Sequence, residues 1–331
     1  MIGGFICFIK KNVYNFLCLL LFIPLKLYAY SDYIIASGEN IGIKLISDGI
    51  IIVGTYEVDG TSPANDAGLK VGDIIEKVDN IKVNSIDDMV SKINESRSDE
   101  VNITYKRGND IKNTSLVLDR TGSNVKTGLY VKDSITGIGT LTYIDPKTKI
   151  FGALGHEIME NSTKKILDIN GGEIFPSTVT GIVKSGDGVP GEKNATFDLS
   201  KTDGKVLENT NKGIFGEYIS DTDDDKLYKV VDYKDVNLGK AKIKTVLSEN
   251  DVGEYDINII SVTNSDKIKN IVFEITDKEL LDKTNGIIQG MSGSPIIQGD
   301  NIVGAVTHVV IDNPLKGYGI LITNMLEEGE N

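Results

Sequence analysis

Apolar positions in this chain alternate with polar ones over short runs and rarely recur at helical spacing. Ile41-Gly42-Ile43-Lys44-Leu45 and Gly49-Ile50-Ile51-Ile52-Val53 read as strands, as do Val101 to Arg107 and Thr114 to Leu118. One helix stands out, Ser85 to Asn94. Ser85 is placed to cap it with Asp88 three residues on, and Ile86, Met89, Val90 and Ile93 share a face. From about residue 120 the strand pattern continues with no long amphipathic helix. Gly137 to Ile144 and Lys149 to Leu154 flank Asp145-Pro146-Lys147-Thr148, a hairpin turn. Further strands are expected at Ser177 to Lys184, Ala241 to Ser248, Asp256 to Thr263, Asn270 to Ile275, Ile302 to Val310 and Gly317 to Ile322. Short strands with frequent turns point to a mainly β fold, a barrel or sandwich. About 200 residues suffice for two small barrels with a cleft between them.

The N-terminal stretch, residues 1–30, stands apart. Lys10 and Lys11 precede an apolar core from Val13 to Leu25, and Leu27-Tyr28-Ala29 offers a small residue at a cleavage point. This is the layout of a secretory signal; uncleaved, it is a membrane anchor. The chain beyond it is therefore expected outside the cytoplasm. Both cysteines, Cys7 and Cys18, fall in this leader. That excludes disulfides, thiol nucleophiles and cysteine zinc sites from the folded part. The chain has only two histidines and no His-Glu-x-x-His pattern, so neither a metal nor a cofactor is expected.

The 331 residues are 40% hydrophobic and 25% charged, an ordinary globular balance with room for two domains. The net charge of −13 argues against nucleic-acid partners and adhesion to anionic lipid, and reads as solubility. The run Asp221-Thr222-Asp223-Asp224-Asp225 carries Lys226 where a calcium loop needs glycine, and reads as a solvated loop.

The candidate chemistry centres on Gly290-Met291-Ser292-Gly293-Ser294-Pro295. Glycines around one serine let the chain turn tightly and aim backbone N–H groups at one point. Ser292 is the candidate nucleophile, with its own N–H and that of Gly290 as the oxyanion hole. Strand-like flanks distinguish this turn from the strand-to-helix elbow of α/β-hydrolases. Ser294 occupies a packing position. His156, after the strand ending at Leu154, is the candidate base; its rival His308 reads as a cleft wall or edge-strand residue. For the acid, Asp168, Asp187, Asp256 and Asp277 are open, and spacing alone does not choose among them.

Two resemblances sharpen this picture. Residues 36–119, through Ser62-Pro63-Ala64 and Ala67-Gly68-Leu69-Lys70-Val71-Gly72-Asp73-Ile74-Ile75, resemble a PDZ domain. PDZ domains bind an extended peptide as an added strand. The resemblance makes Ile41-Gly42-Ile43 the loop for a terminal carboxylate and Ser85 to Asn94 the groove helix. Gly152-Ala153-Leu154-Gly155-His156, Thr276 to Leu281, Gly286 to Ile297 and Gly304 to Val309 resemble the stage IV sporulation protein B serine peptidases of endospore-forming bacteria. This resemblance implies a signal or anchor, a PDZ domain at 36–119, and a peptidase domain at 120–331 of chymotrypsin-like double-barrel type. It implies His156, Asp277 and Ser292 as the triad. It also implies secretion from the forespore into the intermembrane space. The substrates it implies are the enzyme itself and a membrane-associated regulator of an intramembrane protease, whose processing releases a mother-cell sigma factor. Tyr30 to Asn40, read as exposed, is the expected self-cleavage segment. Two other readings are a non-catalytic PDZ-type peptide-binding signalling protein and a high-temperature-requirement protease. The second is disfavoured, because those enzymes place the peptidase before the PDZ domain.

Overall fold

The computed structural model describes residues 30–122, 124–186, 189–222, 226–310 and 313–330. The leader with its two cysteines and the cleavage point at Ala29, the acid candidate Asp187 and Asp223 to Asp225 lie outside these residues.

Strand β1 (Tyr33–Ala36) leads into β2 (Asn40–Thr55). The PDZ unit follows with α1 (Pro63–Asp66), β3 (Ile74–Val78), β4 (Ile81–Lys82), α2 (Ile86–Glu95), β5 (Glu100–Arg107) and β6 (Asp110–Val117). The peptidase part begins with β7 (Leu129–Ile144), β8 (Ile150–Ala153), the hairpin β9 (Met159–Glu160) and β10 (Lys165–Ile166), and β11 (Ile169–Val183). Next come β12 (Glu192–Phe197), β13 (Gly204–Thr210), β14 (Gly213–Tyr218) and β15 (Leu227–Val230). The chain closes with β16 (Gly239–Val246), β17 (Val252–Val262), β18 (Ile271–Ile275), α3 (Lys278–Thr284), β19 (Pro295–Gln298), β20 (Asn301–Val310), β21 (Asn313–Leu321) and α4 (Ile322–Gly329).

Local sequence explains these elements. The Ser85 side chain accepts the Asp88 N–H at 3.0 Å, and Asp88 accepts the Asn84 N–H at 3.1 Å, a reciprocal cap that starts α2. Met89 and Ile93 of its expected face are buried, while Val90 is exposed. In β16 the pleat turns Ala241, Ile243 and Thr245 inward and Lys240 outward. Asp145 pins the predicted hairpin by accepting the N–H groups of Lys147 and Thr148.

Strand pairing closes two antiparallel barrels. In the first, β2 pairs with β7, β7 with β8, β8 with β14, β14 with β13, β13 with β11, and β11 with β2 again. Ile43, Leu45, Leu141, Phe151 and Ile174 fill it. In the second, β16 pairs with β17, β17 with β18, β18 with β21, β21 with β20, β20 with β19, and β19 with β16. Ile243, Ile257, Phe273, Ile296 and Val306 fill that one. Full closure leaves no sheet edge in either ring. This arrangement is consistent with the expected chymotrypsin-like pair. Behind the barrels α4 packs Met325 and Leu326 against Tyr143, Phe215 and Ile302. The PDZ unit keeps its own core around Ile50, Ile75, Val78, Met89 and Ile103.

Two expectations are corrected. Ile41-Gly42-Ile43 is no carboxylate loop: it lies inside β2 and is paired on both edges, with Gly137 to Gly139 of β7 and with Ile174 to Pro176 of β11. Its backbone is committed to the first barrel, so no N–H is free for a ligand carboxylate. Only the second half of β2 serves the PDZ sheet, pairing Ile50 and Ile51 with Ile75 and Ile74. The strand facing α2 is instead the start of β7, where Asp133 accepts the Ile86 N–H at 2.9 Å.

Nor is Tyr30 to Asn40 an exposed segment. Strand β1 pairs with β15 and β7, and Ile34, Ile35 and Ala36 are buried. Ser31 donates its N–H and hydroxyl to the buried Asp145 carboxylate at 2.7 and 2.8 Å. Cutting here would remove a core strand.

Candidate active site

The nucleophile turn hangs between the Ile287–Gln289 segment and β19. Gly290 and Gly293 both adopt left-handed φ, 92° and 93°. The second barrel holds Gly293 through its N–H to the Val306 carbonyl at 2.7 Å. From the first barrel, Thr140 and Thr142 donate their hydroxyls to the carbonyls of Gly290 and Gly293, at 2.8 and 2.7 Å, and the Thr140 N–H reaches the Ser292 carbonyl. A Cβ on Gly293 would strike the Thr140 carbonyl oxygen and the Leu154 nitrogen. Glycine is thus what lets the serine turn lie directly against the chain that carries His156.

On that chain, β8 ends and Leu154 and Gly155 take successive left-handed conformations, φ 69° and 70°. A leucine there costs about 1–2 kcal/mol. The two-residue reversal seats Gly155 against Thr307 and Ile320 and delivers His156 to the cleft. Ser292, Gly290, His156 and His308 all line one cleft of about 490 Å³. Its other walls are mostly apolar, including Ile43, Ile135, Ile138 and Ile158, and among the described residues no lysine or arginine lines it.

His156 Nδ1 lies 2.7 Å from the Glu157 carbonyl. A carbonyl only accepts, so Nδ1 carries the proton and Nε2 keeps its lone pair, the tautomer a general base needs. Burial lowers the pKa of His156, opposed by that hydrogen bond. The base therefore stays neutral to lower pH than an ordinary imidazole. His308 lies beside it, ring centroids 5.1 Å apart and planes tilted by 45°. Burial first, then the charges of His156 and Lys269, push His308 down to about 4. Its buried Nδ1 has no hydrogen-bond partner among the described residues.

The Ser292 hydroxyl donates to the Thr307 carbonyl at 2.9 Å, and that bond must break before its proton passes to an imidazole. The N–H groups of Gly290 and Ser292 meet no acceptor among the described residues. Two unengaged donors beside a half-buried hydroxyl and a neutral imidazole are the groups that acyl transfer requires. The hydroxyl oxygen attacks a carbonyl, the imidazole takes the proton, and the N–H pair holds the oxyanion. Ser294 is fully buried, in keeping with its packing position.

The structure does not bring Asp277 to this cleft. Its carboxylate caps α3 by accepting the Leu280 N–H at 2.9 Å, and it also accepts the Asp256 N–H at 3.2 Å. Asp168 pairs with Lys106 and Asp256 with Lys242, both at the surface. The carboxylate that does line the cleft is Glu157, next to His156 in sequence, with one buried oxygen unpartnered. Adjacency in Gly-His-Glu was its only sequence signal. Among the described residues no group of three or more His, Asp or Glu side chains is placed to hold a metal ion. Asp277→Ala is expected to cost about 1 kcal/mol in a urea melt, the worth of a helix cap, with hydrolysis near wild type. An orienting acid would instead cost about 10⁴-fold in turnover.

Comparison with known proteins matches two families along the chain. Residues 123–326 match the family described as SpoIVB peptidase S55, and residues 40–118 match the PDZ domain family. No curated protein matches the chain. Among solved structures it is similar to the PDZ domain of an SdrC-like protein from Listeria monocytogenes. That match has 26% identity, covers 25% of this chain and 87% of that one, and has a TM-score of 0.22. With a serine turn and a histidine from separate barrels meeting in one cleft, behind a PDZ domain, the chain belongs to the SpoIVB peptidase S55 family of serine peptidases.

Proposed function

We propose that this serine peptidase acts outside the cytoplasm during endospore formation. It cleaves itself and a membrane-associated regulator of an intramembrane protease, and so releases a mother-cell sigma factor from its precursor. The observation that carries the reading is the joint placement of Ser292, His156 and two unengaged N–H groups along one cleft of about 490 Å³. The leader supports export, and retention of that leader anchors the enzyme beside its substrate. Within this reading, Ser292, His156 and the Gly290 and Ser292 N–H groups are the catalytic set, and Glu157 supplies the negative charge nearest the imidazole. Self-cleavage that spares the fold falls outside β1, because that strand is core.

The test is cleavage of the regulator's extracytoplasmic segment by the purified enzyme, read by mass spectrometry. Discrete products from the wild type and none from a Ser292 variant are expected. An intact segment after prolonged incubation with enzyme that does react with a fluorophosphonate would remove the assigned substrate while leaving the peptidase.

A further inference from the structure

Lys193 is almost wholly buried, and no carboxylate lies within ion-pair distance of it among the described residues. It stands at the start of β12, beneath the nucleophile turn. Its amine donates to the Thr245 hydroxyl of β16 at 2.9 Å, with the Asn40 side-chain oxygen of β2 at 3.5 Å. Asn40 in turn donates to Ser177 of β11. A lone amine at the seam of two barrels is expensive to bury, and a methionine would fill the same space without that cost.

What Lys193 touches gives it a use. Its main-chain N–H donates to the Gln289 carbonyl at 3.0 Å, while the Gln289 N–H donates to Gly191 at 2.8 Å. A trans peptide holds its C=O and N–H antiparallel. Fixing the Gln289 carbonyl toward Lys193 therefore aims the Gly290 N–H the opposite way. The side-chain stem runs beneath Gly290: a Cβ built there would sit 3.1–3.2 Å from three Lys193 carbons. So the main chain sets the direction of one oxyanion donor, and the stem supports the residue that carries it.

We infer that Lys193 is a positioning residue for the oxyanion hole, acting through Gly290 and anchored by Thr245 and Asn40. The inference rests on the peptidase reading of Ser292. The amine's hydrogen-bond partners among the described residues, Thr245 and Asn40, are both neutral, and burial alone pushes it down to about 7. Above that pH the neutral amine satisfies its partners. Below it, an ammonium carries three donors and a charge with two oxygens to meet them. It is then drawn away from its anchors, and the stem shifts from under Gly290.

The experiment measures the rate of Ser292 acylation by a fluorophosphonate on the purified full chain, from pH 5.5 to 9. The wild type should rise in two steps, one below 6.5 from the imidazole and one near 7 from Lys193. Lys193→Met keeps a stem and should lose the upper step. Thr245→Val removes the nearer acceptor and should move that step to lower pH. Lys193→Ala removes the stem and should slow acylation at least about 10-fold at every pH. If Lys193→Ala does not fold, the volume-conserving methionine variant decides. A methionine variant with the wild-type pH profile, or a folded alanine variant acylated at the wild-type rate, overturns the inference alone. A wild type that never reacts at Ser292 takes the peptidase reading down with it.

Discussion

Ser292→Ala should lower hydrolysis of a protein substrate by roughly 10⁴- to 10⁶-fold and abolish fluorophosphonate labelling, with the circular dichroism spectrum unchanged. The magnitude comes from the chemistry: with no hydroxyl there is no acyl intermediate, and only binding and the oxyanion donors remain. The stability cost is small, because the one bond lost is that from the Ser292 hydroxyl to the Thr307 carbonyl, worth about 1 kcal/mol. His156→Ala should fall nearly as far, and the double variant little further, because the two act as one unit. A serine variant that retained even a tenth of wild-type turnover would show that another nucleophile does the work.

Gly293→Ala should be among the most damaging single methyls at the described glycines, and the one that strikes the candidate active site directly. The new Cβ meets two backbone atoms, the Thr140 carbonyl oxygen and the Leu154 nitrogen, so no rotamer relieves it. The left-handed φ of 93° adds its own penalty. About 1–2 kcal/mol for the conformation and about 1–3 kcal/mol for the overpacking place the loss near 2–5 kcal/mol. Any relief must separate the serine turn from the His156 chain. A shift of about 1 Å there costs about 100-fold in turnover. Gly299 is the internal control. It is also left-handed, φ 61°, but a Cβ there meets nothing within 4 Å, so Gly299→Ala should cost only the conformational part. Urea denaturation of both variants, alongside acylation rates, separates the two effects. Equal losses at the two sites would refute the contact argument.

Strand after strand was legible because the signal is local. Period-two alternation in β16 and β18 reports which side faces a core, and the Ser85 cap and the Asp145 turn report where elements begin and end. The serine turn and His156 were legible for a related reason. Glycines flank each, and glycine is needed where the chain turns sharply or runs close to a neighbour.

What misled was also physical. Asn40 to Thr55 reads as two strands of one PDZ unit, because Ser47-Asp48-Gly49 looks like a turn. In the fold the strand runs on beside sixteen-residue β7, with a register break between Ile46 and Ile51, and its first half is also claimed by β11. Residues 40 to 46 are thereby wall and core of the catalytic barrel, and Ile43 lines the cleft. The Asp277 assignment fared as it did because a helix cap and a catalytic acid use the same carboxylate; only its partners distinguish them.

The sequence by itself determined the mainly β character, the PDZ unit ahead of the peptidase, and the candidate serine and histidine, all carried by short-range pattern and by residue types with few other uses. Tertiary structure alone decided which carboxylate stands near the imidazole, that the two unengaged N–H groups share a cleft with it, and that a solitary lysine lies under the turn. The serine turn meets the His156 chain, and Lys193 its anchors, through contacts between residues over a hundred positions apart, where closing the barrels brings together groups that no local spacing relates.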